Sequence, residues 1–232
     1  MIMNEYYLKA RLMPTVLTMI PLVVLYLYIV APLIDPVLKP VWDLLPVFTG
    51  VSINVAVMFL LVLLNRFLSK AIFQRLFYQD DLKMPTTDFL LPNNPALDNI
   101  SRERYYSFIL TDFGIDMKKS LKALKSENDK RIMIARVVGQ IREMMRDNKM
   151  ILQHNIEYGF FRNLLGGCVV ASIISVALLI IALVIENRTL LITSIVTFVI
   201  YILPIVFSKL IVKTHGVNYA KVLFEQYGVK TR

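Results

Sequence analysis

The chain has 232 residues, of which 56% are hydrophobic, with a mean hydropathy of +0.59 and a formal net charge of +9. Such a composition is too apolar for an ordinary soluble domain and reads as a membrane protein. The single cysteine, Cys168, excludes an intramolecular disulfide and a thiol-rich metal site.

Four windows contain no Asp, Glu, Lys or Arg: residues 12–34, 44–64, 164–185 and 189–207. Each approaches the roughly 20 residues that cross a bilayer core, so four transmembrane helices are expected. The first is longer than a signal peptide's apolar core and has no small-residue cleavage site before the next span, so it is expected to remain in the mature protein. Pro14, Pro21 and Pro32 interrupt it and Pro204 interrupts the fourth, freeing backbone carbonyls and permitting bends. In the third, Gly167, Ala171 and Ser175 form a ridge that lets another helix approach closely. No charge falls inside a span, which argues against ion-coupled transport. Asn54 is the most polar group at depth in its span; a helix contact or a pore lining would satisfy it, and with Ser52 it is a pore or gate candidate.

Lys and Arg outnumber Asp and Glu by 17 to 12 in 65–163, by six to two in 186–232 and by two to one in 1–11, but not in the loop 35–43, where one cation faces two acids. The positive-inside rule puts both termini and the middle segment in the cytoplasm. The expected fold is all-α: a transmembrane hairpin over 1–64, a helical cytoplasmic domain over 65–163, a second hairpin over 164–207 and a basic cytoplasmic tail over 208–232. Arg66, Lys70, Lys209 and Lys213, beside the spans, are assigned to topology and to lipid phosphate.

The second span continues outward as an amphipathic pattern through NRFLSKAIFQRLFYQDD, and DLKMPTTDFLLPNNP then breaks helicity with three prolines. A helix is predicted from Ser101, as its cap, to near Gly114, and another from Ser126, whose side chain would cap with Asp129 at the third position. On a helical wheel Arg142, Arg146 and Lys149 lie within about 60° of Arg131, a basic stripe beside an apolar sector built on Ile134, Val137, Val138 and Ile141. This is a solvated face, a face answered by a neighbouring subunit's acids, or the site of a phosphate-bearing ligand. Lys118 and Lys122 head a second cluster, while Arg102, Arg104 and Tyr105 could supply base stacking or simply pack.

His154 and His215 stand near opposite ends of the cytoplasmic sequence, and no metal pair, nucleophile elbow or phosphate-cradling loop occurs. No catalytic set, metal or cofactor is expected. The stretch HNIEYGFFRNLLGG, from His154 onward, is predicted to be the joint where the cytoplasmic helix turns into the third span. Glu157 and Arg162 mark the headgroup level, Tyr158 the aromatic belt, and Gly159, Gly166 and Gly167 permit adjustment; a plain interfacial anchor would need only the aromatics and the arginine.

RLMPT…IP in the first span, KMPTTDFLL after the second and HNIEYGFFRNLLGG entering the third resemble the membrane effectors of Hailong-type bacterial antiphage defence systems. The resemblance covers nearly the whole chain. It implies a homo-oligomeric ion channel of the bacterial inner membrane, with a tetramer favoured, whose opening depolarises an infected cell. The gate would be controlled by short single-stranded DNA made by a nucleotidyltransferase encoded alongside, and the basic stripe would be the ligand surface. The rival reading is a non-conducting scaffold that docks a cytoplasmic protein partner.

Overall fold

Pro14 and Pro21 carry no N–H, so a helix running through them loses bonds to the carbonyls four residues earlier and tends to bend. In the computed structural model, which describes residues 5–33, 46–79, 82–92 and 94–230 (46–53 by backbone only), helices α1 (Glu5–Thr18) and α2 (Ile20–Leu33) meet at Met19 at 41°. Two stretches, Leu8–Leu12 and Tyr26–Val30, are wound as π-helix. Helix α3 begins as Pro46–Leu68 and continues through a π-helical Ser69–Gln74 and Arg75–Tyr78, the outward continuation expected from its pattern. It ends where Gln79 turns left-handed at φ 44°. The loop 35–43 lies outside the described residues.

Helix α4 is the single turn Pro85–Asp88. It is followed by α5 (Asn99–Phe113), α6 (Met117–Ala123), α7 (Glu127–Met144), α8 (Lys149–Val184), α9 (Arg188–Val206) and α10 (Ser208–Lys230). No strand occurs among the described residues. The stretch Asn54–Tyr78, α8 and α9 are each long and apolar enough to cross a membrane, and the bent pair α1–α2 makes a fourth if it counts as one span.

The chain divides into two units. The first comprises Met1–Phe73 and Gly159–Ile211. The carbonyls freed by Pro14 and Pro21 in its first span are taken by side chains from other helices. The Asn163 amide donates to the Ala10 carbonyl at 2.6 Å, four residues before Pro14, and the Tyr201 hydroxyl donates to the Leu17 carbonyl at 2.7 Å, four residues before Pro21. A bend that would leave acceptors orphaned in an apolar setting is thereby satisfied. Leu178, Ala182 and Leu190 pack α8 and α9 on each other and against Val24, Leu25 and Ile29 of α2.

The second unit comprises Gln74–Tyr158 and Val212–Arg232. Its core joins Leu90, Ile109, Ile134 and Ile141 to Leu223, Phe224 and Tyr227. Within the segment read as a basic tail, Ser208–Lys230 therefore form a helix whose apolar face completes this core. Its apolar residues alternate with Lys213, Lys221 and Glu225, which kept the face out of sight in a charge-based reading.

Two local predictions are corrected, and one helix is added. Asp98, not Ser101, caps α5 by accepting the Ser101 N–H at 2.8 Å, because the carboxylate stands at the position with extended backbone. Ser126 precedes α7 but makes no side-chain cap bond. Helix α6 was not foreseen; Asp116 caps it by accepting the Lys119 N–H at 3.0 Å. Gly114 closes α5, near the predicted stop, and does so in the left-handed region at φ +67°.

Candidate functional site

The basic stripe does not lie on one helix. Helix α7 ends at Met144, the chain turns, and α8 starts at Lys149, so the wheel drawn from Arg131 holds for Arg142 but not for Arg146 and Lys149. The cations also differ in what surrounds them. Arg131 is largely covered and bound from both sides: its guanidinium donates to Asp88 at 2.6 Å, to the Leu82 carbonyl at 3.0 Å and to Glu127. Burial disfavours its charge, but the bonds to Asp88 and Glu127 outweigh this and hold its pKa above the ordinary value. Arg131 thus ties the 82–88 segment to α7.

Arg142 is exposed, donates to the Thr86 hydroxyl at 3.0 Å and lies over the Tyr219 ring at 5.6 Å. Arg146, also exposed, pairs with Glu143 at 2.7 Å. Lys149 and Lys122 are exposed, and Lys118 pairs with Glu103.

Arg102, 4% exposed, is a local clamp. It donates to the carbonyls of Asn94 and of Leu97 (2.6 Å) and to the Asn99 side chain (2.7 Å), closing the loop ahead of α5. Arg104 covers the Phe108 ring at 5.4 Å. Tyr105 packs between Phe108 and Phe224, and burial, then the nearby Glu225, raises its hydroxyl pKa. The packing alternative for this tyrosine is the one its surroundings show.

Residues 154–167, the predicted joint between cytoplasmic helix and third span, lie inside α8, a helix of 36 residues. The three glycines serve close approach, since an added Cβ would meet the Tyr6 hydroxyl at 2.9 Å from Gly159, the Asn65 carbonyl oxygen at 2.0 Å from Gly166 and the Thr18 hydroxyl at 2.3 Å from Gly167. Glu157 faces His154 at 3.5 Å, Tyr158 is buried with its hydroxyl 3.9 Å from the Met84 sulfur, and Arg162 is half-buried.

His215 on α10 is held below the ordinary histidine pKa, chiefly by burial and further by His154, while Glu157 pulls the other way. Unfolded, this imidazole takes up a proton near pH 6.5, whereas folded it resists to lower pH. Stability is therefore expected to fall as pH drops through about 6.5 and to level off once the folded form also protonates. A His215→Gln variant should lose that part of the acid-side slope in urea melts run from pH 7.5 to 5.5. An unchanged slope would remove His215 as its source.

Asn54 is exposed on its helix and has no hydrogen-bond partner among the described residues; the side chain of Ser52 lies outside them. Sequence reasoning missed Asn65, Asn163 and Tyr201, which hold the bent span. The prolines pointed to the freed carbonyls, but nothing local identified the donors. Compared with known proteins, the chain matches no family model, no curated protein and no solved structure.

Proposed function

We propose that this protein is a homo-oligomeric channel of the bacterial inner membrane, with the second unit in the cytoplasm responding to an anionic ligand. The observation that carries the reading is Asn54, an amide exposed on a helix apolar enough to span a bilayer. Hydrocarbon offers an amide no hydrogen bond, so this face meets either another copy of the chain or water, and assembly around a pore supplies both. Spans without charged residues suit a pore gated by an apolar constriction.

The resemblance to Hailong-type effectors supplies the rest of the reading: two transmembrane hairpins, an antiphage role and short single-stranded DNA from a companion nucleotidyltransferase. Arg142, Arg146, Lys149 and Lys122 are the exposed cations for that ligand, while Arg131 and Arg102 position the fold around them.

The test is conductance of the purified protein in planar bilayers, with and without a short single-stranded DNA oligonucleotide. Ligand-dependent conductance is expected, and the triple variant Arg142→Glu, Arg146→Glu and Lys149→Glu should lose the dependence while keeping the oligomer. Asn54→Leu should weaken assembly by about 3- to 10-fold in dissociation constant, the range for one interhelical hydrogen bond, or change the conductance if the amide lines water. Unchanged assembly and unchanged conductance would remove Asn54 from the pore. A protein that never conducts would favour the scaffold.

A further inference from the structure

We infer that the first unit holds one water molecule at the break in its first span, hydrogen-bonded to Asn65. This goes beyond the channel reading and does not depend on it. Asn65 is 2% exposed, and its Nδ2 donates to the Thr15 hydroxyl at 3.1 Å, but its Oδ1 is buried with no hydrogen-bond partner. Turning the amide round does not help. The Thr15 hydroxyl already gives its proton to the Arg11 carbonyl at 2.9 Å, so a reversed amide would set one acceptor against another and leave Nδ2 without its partner.

Beside Asn65 lies a cavity of about 10 Å³, lined by Thr15, Thr18 and Met19 at the break, by Leu61 and Asn65 of α3, and by Gly167 of α8. That volume admits about one water and nothing larger. The polar lining selects the guest. Both threonine protons are committed, that of Thr15 to Arg11 and that of Thr18 to the Pro14 and Thr15 carbonyls at 3.0 and 3.2 Å, so neither hydroxyl has a proton left to give.

The guest must therefore donate. Water has two protons, one for Asn65 Oδ1 and one for a threonine oxygen, and two to four partners are what a buried water uses. A bare metal cation would need about six oxygen ligands, more than the amide and two hydroxyls provide in a lining otherwise apolar.

The experiment is radiolytic labelling of the full chain in lipid discs, in which an X-ray pulse turns bound water into hydroxyl radicals that oxidise the nearest side chains. Met19, which lines the cavity, should be oxidised several-fold faster than Met58, half-exposed on the same apolar helix as Asn65 but not lining the cavity. In Asn65→Leu the Met19 rate should fall to that of Met58. Equal rates for the two methionines in the unmutated protein would overturn the proposal, and this comparison stands even if the variant does not fold. A Met19 rate that persists in a folded Asn65→Leu, or that changes when sodium is exchanged for potassium, would also overturn it.

Discussion

Gly166→Ala is expected to destabilise the first unit by about 3 kcal/mol or more, at or beyond the upper end of ordinary overpacking. The added methyl would stand 2.0 Å from the Asn65 carbonyl oxygen and 3.0 Å from the Ser69 nitrogen, both backbone atoms that cannot rotate away. Relief requires α3 to move off α8. That movement strains the Asn65–Thr15 bond at 3.1 Å and the Ser69–Asn163 bond at 3.2 Å, so the methyl's cost includes part of a buried polar network. Gly159→Ala is the milder comparison, because its neighbours are side-chain atoms, the Tyr6 hydroxyl at 2.9 Å and the Ala10 Cβ at 3.0 Å, and no backbone atom. Thermal unfolding in mild detergent should rank Gly166→Ala well below Gly159→Ala. Equal midpoints would mean that the helices do not approach as closely as described.

Phe224→Ala is expected to cost the second unit about 3–5 kcal/mol, the usual loss when a large core aromatic is truncated. Phe224 is 1% exposed, stacks on Phe89 at 5.9 Å and meets Tyr105 at 5.4 Å. Its removal opens a cavity between α10 and the segment after α4. Next to it, Tyr227 is buried and donates its hydroxyl to Asp112 at 2.8 Å; burial, and then that bond, raise its pKa. Val229→Ala, at a residue 65% exposed, should be nearly neutral and controls for helix propensity. The midpoint of urea unfolding decides. A Phe224→Ala shift no larger than that of Val229→Ala would detach the C-terminal helix from the core.

The same helix shows what kind of information a sequence reading loses. A charge count over 208–232 registers cations and calls a basic tail, while Tyr219, Leu223, Phe224 and Tyr227 become a core face only once α5 and α7 are set against them. Arg131 makes the point for the candidate site. On a wheel it heads a stripe with Arg142, but its carboxylate partner Asp88 lies 43 residues away in sequence, and that pair turns a proposed ligand contact into a brace. Lys149 left the stripe for a different reason. The four-residue break between α7 and α8 contains neither proline nor glycine; its local signal is Asn148, which accepts the Met150 and Ile151 N–H groups and was not read as a cap.

By itself the sequence determined the helical class, the apolar windows, the outward continuation of α3, the helix stop near Gly114 and the positions where proline frees a carbonyl. Each of these depends on residues within a few positions of one another, through hydropathy, periodicity or a missing N–H. Only the tertiary structure decided that Asn163 and Tyr201 fill the carbonyls freed by Pro14 and Pro21, that Gly159, Gly166 and Gly167 are contact points on one helix, and which cations remain exposed. Those outcomes depend on donors, acceptors and volumes brought together from distant parts of the chain, and no local pattern encodes which distant group arrives.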